Sequence, residues 1–168
     1  LYNPIKIFYK TYILQNIRAL FLKKHLSSKY LNFEEIKRTN FAFFPLHTEP
    51  EVSLMVRAPH CVNQIEIIRN IARSLPTGLK LLVKEHPVAI GKRKFGFYRK
   101  LLDIPNVNLV NPSINAQEII SNSKMVFTIN SSIGQDAIIL GKPVICFGDV
   151  SYQVLPNVLR LKSFENIG

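Results

Sequence analysis

The stretch "TINSSIGQDAIILGKPVICFG", residues 128–148, places the end of an apolar strand, a polar corner, a short apolar helix and a second apolar strand in one run. "MVFTI" (125–129) is apolar except for Thr128, as expected of a strand covered on both faces. A helix is predicted from 132 to 140, with Gly141 suited to a left-handed cap and Pro143 just beyond it. "PVICF" (143–147) is then the next strand. Strand, helix and strand in such close order form a parallel crossover, and this unit sets the reading of the rest of the chain.

Working outward, the same alternation recurs. "FAFFPL" (41–46), "LKLLVKE" (79–85) and "VNLV" (107–110) read as strands. "CVNQIEIIRNIARSL" (61–75) reads as a helix with Cys61, Ile65, Ile68, Ala72 and Leu75 on one face, ended by Pro76-Thr77-Gly78. "FGFYRKLL" (95–102) is a short helix, and in "NAQEIISN" (115–122) Asn115 and Glu118 have capping-box spacing. Five strands joined by helices predict an open, doubly wound parallel α/β sheet of Rossmann-like type over residues 40–168. Residues 5–31 read as one or two basic amphipathic helices with a break at Ser27-Ser28. The boundary is placed near Thr39-Asn40, which makes 1–39 the end of a preceding domain or an interdomain connection.

Composition bounds the function. The 168 residues are 47% hydrophobic, enough for one core and too apolar for a disordered chain. A start at Leu1 and a stop at Gly168 suggest an excerpt of a longer protein. Cys61 and Cys146 lie in apolar patterns, without metal-ligand spacing, which fits a reduced cytoplasmic setting and no metal. "YILQNIRALFL" is too short and too polar to span a bilayer, so any membrane contact is expected to be peripheral, at the inner face of the cytoplasmic membrane. The formal charge is +11, and residues 1–40 hold eight basic against two acidic side chains. This arm favours anionic surroundings, or it is a solvated helical face. Nucleic acid is not the expected partner, because the aromatics lie within apolar patterns and no nucleic-acid motif accompanies the charge.

In doubly wound sheets, ligands bind at the carboxyl ends of the strands. After "MVFTI", Asn130, Ser131 and Ser132 open a helix whose unpaired N–H groups suit a phosphate. Ser132 with Gln135 is equally a capping box, which explains one serine but neither Ser131 nor Gly134, where a missing side chain allows close approach of another group. After the second strand comes "KEHPVAIGKRK" (84–94). Pro87 keeps His86 extended at the ligand edge, where its imidazole can donate to a phosphate oxygen. Lys84, Lys92, Arg93 and Lys94 nearby read as ordinary surface charge. "PLHTEPE" (45–51) offers His47, Glu49 and Glu51 for acid–base work or for holding sugar hydroxyls. Asp136 lies one turn after Ser132, near the same edge or facing solvent. Walker A, Gly-x-Gly-x-x-Gly and nucleophile-elbow patterns are absent, which argues against a P-loop NTPase and a dinucleotide oxidoreductase.

Taken in order, "FFPLHTEPE", "KEHP" and "TINSSIGQDAIILGKPVICFGDVSY" resemble the capsule polysaccharide biosynthesis proteins, a family related to the retaining Kdo transferases. The resemblance covers about residues 40–155. It implies the C-terminal, donor-binding half of a GT-B glycosyltransferase that uses a nucleotide-activated sugar, with a CMP-linked donor expected. It further implies that His86 with Pro87 and Ser131 with Ser132 contact the donor phosphate, where the strand-end reading adds Asn130 and Gly134, and that Asp136 holds the ribose. The catalytic candidates are then His86, with His47, Glu49 and Glu51 contributing across the cleft. No cofactor is expected beyond the nucleotide sugar as substrate. The expected partners are a glycan or glycolipid acceptor and, through the basic arm, the membrane or capsule assembly proteins. A sugar-nucleotide epimerase of the same architecture and a non-catalytic module binding anionic polysaccharide are the alternatives.

Overall fold

The computed structural model describes residues 8–48, 61 and 63–161. A π-helical stretch, Tyr9–Leu14, runs into helix α1, Gln15–Leu26. There follow strand β1 (Tyr30–Leu31), α2 (Phe33–Lys37), β2 (Phe41–Pro45), α3 (Gln64–Ser74), β3 (Lys80–Lys84) and α4 (Phe95–Leu102). The chain continues through β4 (Val107–Val110), α5 (Ala116–Asn122), β5 (Val126–Thr128), α6 (Ile133–Ile139), β6 (Val144–Cys146) and β7 (Val158–Arg160). All five strands expected from the sequence are present. The seven described strands form one parallel sheet in the order β1-β4-β3-β2-β5-β6-β7.

Strand alternation divides the core between two faces. Phe41 and Phe43 of β2 point to one side with Ile119, Ile120 and Ala137, while Ala42 and Phe44 point to the other with Ile67, Ile68 and Ile71. All four β2 side chains are fully buried, as required of a strand covered by helices on both faces. Each buried Phe or Ile contributes roughly 1.5–3 kcal/mol. Helix α3 begins at Gln64, where Asn63 caps it by accepting from the Glu66 N–H at 3.4 Å. Its inward face is Ile67, Ile68, Ile71 and Ala72, so Ile65 and Leu75 sit at the margin rather than in the centre of the expected stripe.

The N-terminal segment departs most from the sequence reading. Several described residues before 40 join this sheet and its core: Tyr30 and Leu31 pair with Leu109 and Val110, and Leu22 and Leu26 pack among the buried residues of β2 and β3. A two-residue strand carries no periodicity to read. The start of α2 was legible in principle, since Asn32 and Glu35 make a reciprocal capping box with bonds of 2.7 and 3.0 Å. Helix α1 ends at Leu26, at the break expected at Ser27-Ser28, but it is not amphipathic in the expected sense. Only Leu22 and Leu26 are buried, while Ile17, Leu20 and Phe21 are exposed. Strand β7, half-exposed at the far edge, was also absent from the reading. No described helix is long and apolar enough to cross a membrane.

The order of the sheet positions the site. Successive strands run outward from β2 through β3 to β4, and then from β5 through β6 to β7, so β2 and β5 are neighbours across a reversal. The loops after β2 and β5 diverge there and open a crevice at the carboxyl edge.

Candidate functional site

A cleft of about 970 Å³ occupies this crevice, and its walls come from four chain segments: the ends of β2 and β3, the loop before α5 and the corner before α6. His47, His86, Pro87, Asn130, Ser131 and Ser132 all line it. Most of the candidates drawn from separate motifs therefore meet in one space. Asp136, half-buried one turn into α6, and Gly134, buried beneath the corner, are not among the lining residues. Glu49 and Glu51 lie outside the described residues.

His86 is exposed on an extended backbone before the 3₁₀ turn Pro87–Ala89. Its Nδ1 accepts the Val88 N–H at 3.2 Å. With Nδ1 used as an acceptor, the neutral ring carries its proton on Nε2, which makes Nε2–H available as a donor to a ligand.

The turn rests on a buried ionic support that the sequence reading missed. Glu85 Oε2 accepts from Arg93 Nη1 at 2.6 Å and from the Tyr98 hydroxyl at 2.8 Å, while Oε1 accepts the His86 N–H at 2.8 Å. Both members of the ion pair are almost wholly buried. Arg93 also donates through Nη2 to the His47 carbonyl and lies over the Phe97 ring. Burial, then the Glu85 carboxylate, push the Tyr98 phenol well above its usual range and keep it a donor. Arg93 is thus not surface charge. A glutamate at a strand end followed by a basic run was the available signal, but only the folded loop brings the two together. On the outer side, Gln15 Nε2 donates to the Ile90 carbonyl at 3.1 Å, and Gly91 at φ 82° lets the backbone of α1 pass where a side chain would overlap the Gln15 carbonyl.

At the second corner, the two serines have different tasks. Ser131 Oγ accepts the Ile133 N–H at 3.2 Å and so caps α6, while Thr128 Oγ1 accepts the Ser131 N–H at 3.2 Å. Thr128, the polar residue in an otherwise apolar strand, is explained by that bond. Ser132 has helical backbone angles and makes no side-chain cap bond, so the predicted Ser132–Gln135 capping box is not formed. Its hydroxyl is exposed at the cleft. The close approach that Gly134 permits is made by Tyr152, whose phenol lies where a Cβ would stand. Similarly, Asn115 caps α5 through the Gln117 N–H at 2.9 Å rather than in the expected box with Glu118.

His47 ties the two halves of the crevice. Its Nε2 accepts the Ile129 N–H at 3.3 Å, across the β2–β5 reversal. Its backbone N–H donates to Gln64 Oε1 at 2.9 Å, and its carbonyl accepts from Gln64 Nε2 at 3.1 Å. Lys84, at the end of β3, is buried and lines the cleft, and burial holds its pKa below the usual lysine value. No cluster of three or more candidate metal ligands occurs among the described residues.

The model of the family described as capsule polysaccharide biosynthesis protein matches residues 2–155. The chain belongs to that family. Among curated relatives of this capsule-family chain, Protein FixF of Sinorhizobium fredii is 33% identical over 127 residues, which are 71% of the chain and 29% of the relative. Among solved structures, a Thermosulfurimonas dismutans KpsC, a beta Kdo 2,7 transferase, superposes with a TM-score of 0.59 at 20% identity, over 87% of the chain and 53% of the transferase. A UDP-GlcNAc 2-epimerase from Methanocaldococcus jannaschii superposes with a TM-score of 0.53 at 16% identity, over 91% of the chain and 40% of the epimerase. The chain therefore spans about half the length, or less, of the proteins it matches. At these identities the likeness establishes the fold, a Rossmann-like α/β half of the GT-B architecture, as the sequence implied.

Proposed function

We propose that this chain is the donor-binding part of a glycosyltransferase that uses a nucleotide-activated sugar in capsule or surface polysaccharide synthesis. The observation that carries the reading is the meeting of His86, Ser131 and Ser132 in one cleft at the strand-order reversal. Glycosyl transfer leaves negative charge on the departing phosphate, and donors already aimed at that charge lower the barrier. In this reading His86 Nε2–H and the Ser132 hydroxyl bond the phosphate directly, while Ser131 chiefly holds the corner in shape. Each charge-assisted bond contributes about 1.5–3 kcal/mol. Asp136 holds the ribose, and the donor is CMP-linked. The acceptor is a glycan or glycolipid, and its activating base is His47, Glu49, Glu51 or a residue of another domain. The setting is cytoplasmic, at most peripheral to the membrane through the basic N-terminal segment.

Calorimetric titration with CMP, UDP and GDP tests this. One nucleotide should bind, and both His86→Ala and Ser132→Ala should weaken it. Ser131→Ala is the poorer probe, because losing the cap alone costs about 0.5–2 kcal/mol of stability. Binding of acidic polysaccharide with steep salt dependence and no nucleotide affinity would replace the proposal with a polymer-binding module. Release of an altered nucleotide sugar without acceptor would replace it with an epimerase.

A further inference from the structure

Lys84 is the residue of the cleft that none of the motifs accounts for. It closes β3, in register with Pro45 on one side and Val110 on the other, and it is only 7% exposed. A lysine this deep is ordinarily paired. The adjacent Glu85 carboxylate favours the ammonium through its charge but makes no ion pair with it, being engaged by Arg93, Tyr98 and the His86 N–H. Among the described residues, no carboxylate or hydrogen-bond acceptor pairs with the Lys84 ammonium. What it meets is the cleft, together with His86 two residues on and Ser132 from the opposite wall. Lys84, Glu85 and His86 all line the cleft where β3 ends.

We propose that the Lys84 ammonium is a phosphate-binding group of the donor site, the cationic floor against which the nucleotide phosphate is neutralised. This rests on the reading of the cleft as a nucleotide-sugar site, and it adds a full charge to a set of otherwise neutral donors. A largely buried lysine that lines the cleft and makes no ion pair is placed to receive an anion, because an arriving phosphate adds the charge interaction that burial weakens. Burial holding the Lys84 pKa below the usual lysine value is consistent with this, since an anion in the cleft would oppose that effect.

The test reads Lys84 directly. The chain is reductively methylated with ¹³C-formaldehyde, and the Lys84 signal is identified by its loss in Lys84→Met. The protein is then titrated with CMP, UDP and GDP, with the matching nucleosides, and with inorganic pyrophosphate. The Lys84 signal should move with a nucleotide and not with its nucleoside. Calorimetric affinity for that nucleotide should fall about 10- to 100-fold in Lys84→Met, with Lys84→Arg retaining part of it. Nucleotide binding that needs His86 and Ser132 but leaves the Lys84 signal and the Lys84→Met affinity unchanged would overturn the proposal and leave the donor-site reading standing. A response to pyrophosphate with no nucleotide bound would uphold Lys84 as an anion site and remove the nucleotide reading. Silence toward every phosphate overturns both.

Discussion

The Tyr152 hydroxyl donates a 2.5 Å hydrogen bond to the carbonyl of Ser131, and its ring lies against Gly134. A residue of the loop after β6 thereby clamps the corner at which α6 begins. Burial, then the Cys146 thiol, raise the phenol's pKa and keep it a donor. The serine corner is consequently shaped from outside its own motif.

Gly134→Ala should therefore destabilise the fold by about 1–3 kcal/mol, because the new methyl overlaps the phenol. Tyr152→Phe should not rescue it, since ring carbons as well as the hydroxyl stand in the way. Thermal denaturation of the single and double variants checks this, and an unchanged melting temperature for Gly134→Ala would refute the clamp.

Glu85→Gln removes a carboxylate paired with a buried guanidinium, and breaking such a pair costs about 3–5 kcal/mol. Urea unfolding should show the midpoint falling with an unchanged slope. A loss below about 1 kcal/mol would mean that water reaches Arg93 in solution.

Lys84→Met should raise stability at neutral pH while weakening nucleotide binding. The folded-state pKa of Lys84 lies below the unfolded value of 10.5, so the folded chain binds fewer protons between the two and stability rises with pH there. The advantage of the methionine variant is thus full below the folded pKa and declines as pH approaches 10.5. Melting temperatures of both proteins from pH 7 to 10.5 should converge; a constant difference would show that packing rather than charge separates them.

His86→Ala should mainly lower turnover, because its bond strengthens as charge develops on the leaving phosphate, whereas Asp136→Ala should mainly weaken donor affinity. Steady-state kinetics with the full-length protein separates the two. Equal losses of donor affinity with turnover untouched would remove both roles.

Much of the sheet was legible because its central strands are continuous apolar runs between turn signals; "VNLV" and "FGFYRKLL" have the same bounds in the structure as in the sequence. The edge strands were not, since two or three half-buried residues carry no pattern. That His86 and Ser132 would line a common cleft was legible because they stand at strand ends in a parallel sheet. Arg93 was misread because a basic run has one appearance whether solvated or folded onto a carboxylate eight residues earlier.

By itself the sequence determined the strands and helices of the sheet's centre, the edge at which the cleft opens and the family. These follow from local periodicity and from motifs short enough to be read in one piece. Only the tertiary structure decided which polar groups meet. His47 bonds Ile129, Tyr152 bonds Ser131, and Lys84 is left facing the cleft because strand order, not sequence separation, sets who is adjacent. Hydrogen bonds and ion pairs act over a few ångströms, and the residues that satisfy those distances come from segments up to 86 positions apart.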